Sequence, residues 1–230
     1  MNKNLIHDRF AKNLKSYDEN AKIQKRMAER LITFVQNKQP KKILEIGCGT
    51  GFLTKLINKE FKFESFMAID IVKDCEQYIK NISSNIIFTP ADIEEFITSN
   101  NETYDLIISN ASLQWVENFE DVINSLKDFL NPNGELIFST FGTENFREIY
   151  HIIGASLKYY SINDLQQMFP QSIIEPEIHI MAFDTPKDVL KHLQLTGVNA
   201  IENTHWTKKD LIKALITFTK RNRRFGAIKK

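Results

Sequence analysis

Two cysteines among 230 residues, Cys48 and Cys75, are too few and wrongly spaced for a disulfide framework or a zinc site. The five histidines, His7, His151, His179, His192 and His205, are scattered without ligand spacing, so no metal is expected. Net charge is also missing: 30 Lys and Arg against 29 Asp and Glu leave +1. A surface so balanced has no overall pull on nucleic acid or on an anionic membrane. No apolar run is long enough to cross a bilayer, and Met1 to Asp8 holds no apolar signal core. These absences point to a reducing, cytoplasmic setting with neither membrane nor nucleic acid as partner. Repeats, low-complexity tracts and linkers are lacking too, so residues 1–230 read as one domain with a sizeable core, expected as a monomer.

What is present is an alternation. Phe10, Leu14, Tyr17, Ala21, Gln24, Ala28 and Leu31 recur at three- and four-residue steps, the face of one helix or of two in line. Lys41-Lys42-Ile43-Leu44-Glu45-Ile46 is a short apolar run stopping at glycine, as a buried parallel strand does. Helix is expected from Phe52 to Phe61, Val72 to Ile82 and Phe119 to Leu130. Strands are expected at Phe66 to Ile69, Ile86 to Phe88, Asp105 to Ile108 and Glu135 to Phe138, with Asn131-Pro132-Asn133-Gly134 as the turn before the last. Such order implies an α/β fold, a doubly wound, mostly parallel sheet covered on both faces. Beyond Gly142 the pattern loosens. It suggests helices from Asn145 to Tyr159, Pro186 to Leu195 and Lys208 to Lys220, and a strand at Ile178 to Phe183.

In an open parallel sheet, ligands sit beyond the carboxyl ends of the strands, and here Gly47, Gly49 and Gly51 follow the first one. Glycines let the backbone bend and let a ligand approach, while the next helix offers unpaired N–H groups to an anion. A triphosphate loop would need Gly-Lys-Ser or Gly-Lys-Thr, but Phe52 and Leu53 follow Gly51. A dinucleotide fingerprint needs glycine at the position of Phe52. Asp70 ends the second strand, with Ile71 beside it, and can accept from both hydroxyls of a ribose. Ala91-Asp92-Ile93 follows the third strand; taken singly, Asp92 serves equally well as a helix N-cap. Cys48, inside the loop with no His or Asp partner in the sequence around it, reads as a small residue rather than a reactive thiol.

Glu45-Ile46-Gly47-Cys48-Gly49-Thr50-Gly51 resembles motif I of the class I S-adenosylmethionine-dependent methyltransferases. The resemblance implies a Rossmann-like core in which the loop wraps the methionine end of S-adenosyl-L-methionine. By the same resemblance Glu45 organises the amino group and Asp92 meets the adenine. Gln24, Asn110 and Ala111 complete the expected cofactor-binding set.

Asn110-Ala111-Ser112-Leu113-Gln114-Trp115 lacks the proline-rich tetrapeptide of some nitrogen methyltransferases and is similar to two carboxylate O-methyltransferases. One is the malonyl-acyl-carrier-protein enzyme family of biotin synthesis; the other acts on aconitate. Phe10, Ala11, Tyr17, Ala21 and Gln24, with Leu190-Lys191 and Thr196-Gly197-Val198-Asn199, resemble the biotin-pathway family. That likeness implies methylation of the free carboxylate of a malonyl thioester on acyl carrier protein. A small polycarboxylate such as aconitate, or a non-catalytic cofactor-binding subunit, are the alternatives. Residues 1–40 would form a helical lid, 41–142 the cofactor-binding core and 143–230 substrate- or carrier-facing additions. Tyr17, Gln114 and Trp115 are the catalytic candidates; Phe10, Lys12 and Arg147, with Arg9 as a further cation, are the acceptor-binding ones. The family continues past a segment like Arg224-Phe225-Gly226 into a final strand, whereas this sequence stops at Lys229-Lys230, so that strand is expected to be absent. The cationic C-terminus, including Lys209, Lys213, Arg223 and Arg224, offers either a solvated helix face or a dock for an acidic carrier.

Overall fold

The computed structural model describes residues 2–147 and 157–196, with Lys209 and Ile212 singly. It divides into two compact units, Lys3–Thr140 and Phe141–Lys230. The first holds a five-stranded sheet of β1 (Lys42–Ile46), β2 (Ser65–Asp70), β3 (Ile86–Pro90), β4 (Tyr104–Asn110) and β5 (Leu130–Ser139). Their order is β3-β2-β1-β4-β5 and every pair is parallel. The β1 and β4 strands, buried on both faces, form the centre, and between them the strand order reverses. That reversal opens a crevice at the carboxyl ends, the place where such sheets bind ligands.

Helices α3 (Phe52–Glu60), α4 (Glu76–Lys80), α5 (Ile93–Ser99) and α6 (Phe119–Asp128) connect successive strands. Before the sheet come α1 (Lys3–Asn20) and α2 (Lys22–Leu31), separated at Ala21, where φ −81° and ψ 46° leave the helical region. The first forty residues are therefore two helices, the second ending in a 3-10 turn at Ile32–Phe34. Leu14, Ala28 and Leu31 join Ile43, Ile57, Phe66, Leu106 and Ile108 in one core. Burying each large apolar side chain there contributes roughly 1.5–3 kcal/mol, so α1 and α2 are built into the domain.

Three expectations are corrected. The helix from Val72 to Ile82 is a 3-10 turn at Lys73–Cys75 followed by the short α4. Asn131 to Gly134 is no separate turn but an irregularity inside β5, with Asn133 at φ 64° and a register shift opposite Tyr104 and Leu106. The strand at Ile178 to Phe183 is not formed: the segment carries no regular structure, and Ile178 and Ile180 are exposed. Apolar alternation without a neighbouring ladder leaves backbone groups to water, so pattern alone does not make a strand. No strand beyond β5 occurs among the described residues.

In the second unit, α7 (Ile162–Met168) and α8 (Pro186–Leu195) each begin with a capping box, Ser161 with Asp164 and Thr185 with Asp188. Val189 and Leu193 pack with Phe146, Phe183 and Leu190. Of the expected helix from Asn145 to Tyr159, residues 148–156 lie outside the described ones, and Leu157 to Tyr160 are not helical. Most of the Lys208 to Lys220 helix and of the cationic tail also lies outside them, as do Gly197, Val198 and Asn199. Thr196 is described: it is buried, and its hydroxyl donates to the His192 carbonyl at 2.8 Å. Among the described residues no helix is long and apolar enough to cross a membrane.

Candidate active site

Gly47, Cys48 and Gly49 follow β1, and the N–H groups of Gly47 and Cys48 donate to the Ile69 carbonyl at 2.9 and 3.1 Å. The loop is thereby folded back on the end of β2. Gly47, Gly49 and Gly51 have φ of 72°, 52° and 78°, the left-handed region where a Cβ is strained. Asp70 closes the arrangement: one carboxylate oxygen accepts from the Gly49 N–H and the other from the Val72 N–H, both at 2.8 Å. Burial pushes the Asp70 carboxyl up, while these two bonds pull it back. Each oxygen keeps a lone pair for a further donor, which suits a ribose diol.

Glu45 lies beneath the loop, 1% exposed, and its Oε2 makes no hydrogen bond. Burial pushes its carboxyl up to about 8, with Thr54 acting in the opposite direction. A buried carboxyl oxygen left without a partner is an acceptor awaiting a donor. Asp92 is the N-cap of α5, accepting from the Glu94 N–H at 2.9 Å, and its other oxygen pairs with Lys3 at 2.5 Å. Lys3 also reaches Glu94 at 2.7 Å. Burial works against the Lys3 ammonium, but the two acids outweigh it and hold its pKa up. α1 is thus tied to the end of β3.

One cavity joins these groups, of about 1210 Å³ counting its open mouth. Glu45, Gly47, Cys48, Gly49, Asp70, Ile71, Ala91, Asp92 and Ile93 line it, with Gln24, Asn110 and Ala111. Phe10, Tyr17 and Trp115 line it as well. Phe10 meets Trp115 edge to face at 5.5 Å between ring centres and Tyr17 at 6.2 Å. Burial, and then the Asp70 charge, push the Tyr17 phenol well above its usual range, so it stays a neutral donor. Ala111 turns the chain off β4 at φ 50°. Its N–H donates to the Ser139 carbonyl at 3.0 Å, and its carbonyl accepts from Gln114 Nε2 at 2.6 Å.

Not every candidate gathers here. Gln114 is buried but does not line the cavity; its amide braces the Ala111 turn instead. Lys12 is exposed on α1 and, like Arg9, does not line it. Arg147 belongs to the second unit, where it pairs with Glu144 at 2.8 Å. Cys48 and Cys75 are buried thiols held up mainly by burial, so neither is a thiolate. The sequence reading missed Asp18, which accepts from the Thr50 hydroxyl at 2.5 Å, and also Lys3 and Lys25. Leu14, Asp18, Ala21 and Lys25 follow one another at three- and four-residue steps, which is the signal that could have found two of them.

The description "methyltransferase domain" fits residues 17–202 of the chain. The chain is 39% identical to the malonyl-[acyl-carrier protein] O-methyltransferase of Calditerrivibrio nitroreducens, covering 85% of this chain and 80% of that one. The Acinetobacter baylyi protein of the same name is 36% identical, covering 92% and 86%. The chain belongs to this family of methyltransferases. The fold is shared with the N-methyltransferase NodS from Bradyrhizobium japonicum, with a TM-score of 0.58 at 19% identity over 78% of this chain and 92% of that one. As a member of the family the chain is an S-adenosylmethionine-dependent methyltransferase. The residues fit that group: Glu45 has an unused oxygen for an ammonium, Asp70 has acceptors for a diol, and Gly49, where an added Cβ would meet nothing within 4 Å, leaves the loop backbone open, whereas Gly51 does not line the cavity.

A pH dependence follows. With its carboxyl near 8, Glu45 is mostly protonated at neutral pH in the empty site, whereas holding an ammonium requires the carboxylate. Cofactor binding at about pH 7 is expected to release close to one proton, strengthening by up to about tenfold per pH unit toward a maximum near pH 8, where the ammonium begins to lose its own proton. Calorimetry in buffers of different ionisation enthalpy reads that proton; Glu45→Gln should abolish its release, and a wild-type protein releasing none would sink the assignment. The same raised pKa means that the cofactor-free protein loses stability as pH rises from 4.5 toward about 8, since the folded state binds the extra proton in that window.

Proposed function

We propose that this methyltransferase esterifies the free carboxylate of a malonyl thioester on acyl carrier protein, for biotin synthesis. The name shared by its relatives supports that acceptor, and the character of the cavity wall carries it chemically. Phe10, Tyr17 and Trp115, which this reading gives to the acceptor, line the cavity with Asn110 and Ala111, and no histidine lines it among the described residues. An aromatic wall without a histidine suits a nucleophile already ionised at neutral pH, as a malonyl carboxylate is. The cofactor, when bound, supplies a methyl group on a sulfonium. The chain contributes alignment and dryness: Phe10 and Trp115 exclude water, and the neutral Tyr17 hydroxyl donates to the acceptor carboxylate. Holding two reactants in line can contribute on the order of 7 kcal/mol or more, and removing water from opposite charges that cancel in the transition state adds to it.

The test compares methyl transfer to malonyl-carrier protein, free malonyl thioester and aconitate, with restoration of biotin-independent growth in cells lacking the pathway's methyltransferase. Carrier-linked malonate should be the best acceptor. Preference for aconitate, or cofactor binding without turnover on any acceptor, would overturn the assignment. In the same assay Tyr17→Phe should lower kcat/KM for the acceptor by about tenfold, the value of one charge-assisted hydrogen bond that aligns the carboxylate; unchanged kcat/KM would remove Tyr17 from the reaction.

A further inference from the structure

Among the described residues two cations line the cavity, Lys3 and Lys25. Lys3 is committed to Asp92 and Glu94, whereas no described carboxylate pairs with Lys25. Lys25 lies on α2 four residues beyond the break at Ala21, to whose carbonyl its N–H donates at 3.0 Å. Its ammonium stands over the ring of Phe52, 5.0 Å from the centre. Phe52 is the first residue of α3, and Gly51, the N-cap, offers that helix no side-chain acceptor. The first-turn N–H groups of α3 and the Lys25 ammonium therefore present positive charge at one end of the cavity.

The opposite sign lies at the same helix start, where the Thr54 backbone N–H in the first turn of α3 donates to the Glu45 carboxyl. Glu45, nearly fully buried with Oε2 unsatisfied, lines the same cavity and calls for a cation. A ligand meeting both demands carries an ammonium and an anion on neighbouring atoms, as an α-amino acid does. We propose that Lys25 binds the α-carboxylate of the cofactor's amino-acid end, and so selects it over decarboxylated adenosyl compounds. This rests on the reading of S-adenosylmethionine as the cofactor with Glu45 at its ammonium. Phe52, which stands where a dinucleotide fold needs glycine, then has a use: its ring holds the lysine stem over the helix start. Lys25 binds the cofactor away from its methyl group and is no part of the aromatic wall of Phe10, Tyr17 and Trp115, so its hold on the cofactor is equal in ground and transition states.

The experiment uses calorimetry with S-adenosylhomocysteine and its decarboxylated counterpart, S-adenosyl-3-thiopropylamine, on the wild type, Lys25→Met and Lys25→Arg. Met keeps the apolar stem on Phe52 and removes the charge. The wild type should prefer the carboxylated ligand. Lys25→Met should weaken it by about tenfold or more, the value of a charge-assisted bond, and change the decarboxylated ligand by less than about threefold. Lys25→Arg should restore the preference, and in turnover Lys25→Met should raise KM for the cofactor with kcat unchanged. Equal weakening of both ligands by Lys25→Met, which a packing role would give, overturns the proposal, as does no change in either. A wild type that binds neither ligand would instead remove the cofactor reading.

Discussion

Asp70→Ala is expected to weaken cofactor binding by about 100-fold or more and to lower the melting temperature of the empty protein. The carboxylate does two jobs at one point. It accepts the N–H groups of Gly49 and Val72, fixing the loop against the end of β2, and it leaves lone pairs for the ribose. Truncation leaves both N–H groups without their partner, at about 1–3 kcal/mol for each that water fails to reach, and removes the charged acceptor of the diol as well. Asp70→Asn keeps one acceptor oxygen and should fall between the two, because its amide nitrogen can accept from neither the Gly49 nor the Val72 N–H. The change should also be felt at Tyr17, whose phenol is held up partly by the Asp70 charge. Titration with S-adenosylhomocysteine and thermal unfolding read the two effects. Affinity of Asp70→Ala within about threefold of wild type would show that the ribose is held elsewhere.

The central strands are legible in the sequence because burial on both faces leaves unbroken apolar runs, as in Ile43-Leu44 and Leu106-Ile107-Ile108, and because glycine stops the first run abruptly. The acids at the ends of β1 and β2 follow from their place in that order, and the structure brings both to one cavity. Other features depend on contacts distant in sequence. α5 is short and escapes the pattern, although Asp92 caps it and Glu94 and Glu95 fill its first turn; Asp92 reads as a ligand, and it caps the helix as well. The break at Ala21 carries no proline or glycine, so nothing local announces it, yet it sets where Lys25 stands relative to Phe52. Ile178 to Phe183 shows the reverse error, a strand pattern with no ladder beside it. Gln114 adjoins Trp115 in the chain, but a 3-10 turn at Leu113–Trp115 sends one side chain into the bracing of Ala111 and the other to the cavity. Charge alone does not mark the cations of the site, since those that line it are the ones whose helix faces turn inward.

Gly47→Ala should be the more damaging of two apparently equal changes in the loop. A Cβ at Gly47 would lie 2.1 Å from the Ser112 hydroxyl oxygen and 2.4 Å from its Cβ, at φ +72°, whereas a Cβ at Gly49 meets nothing within 4 Å at φ +52°. Gly49→Ala therefore carries only the left-handed backbone cost, roughly 1–2 kcal/mol. Gly47→Ala carries that cost plus an overlap that no rotamer of Ser112 relieves, since its Cβ is itself too close. The overlap must be released by moving Ser112, and Ser112 follows Ala111, which is pinned at φ 50° by Ser139. Loss of more than about 3 kcal/mol of stability is expected, together with loss of methyl transfer, because the loop and the β4 turn bound the same cavity. Gly47→Ala combined with Ser112→Gly removes both offending atoms and should recover most of the difference between the Gly47 and Gly49 variants, leaving the backbone cost behind. Equal stabilities for the two single variants, or no recovery in the double variant, would mean that the loop does not abut the β4 turn as closely as the structure places it.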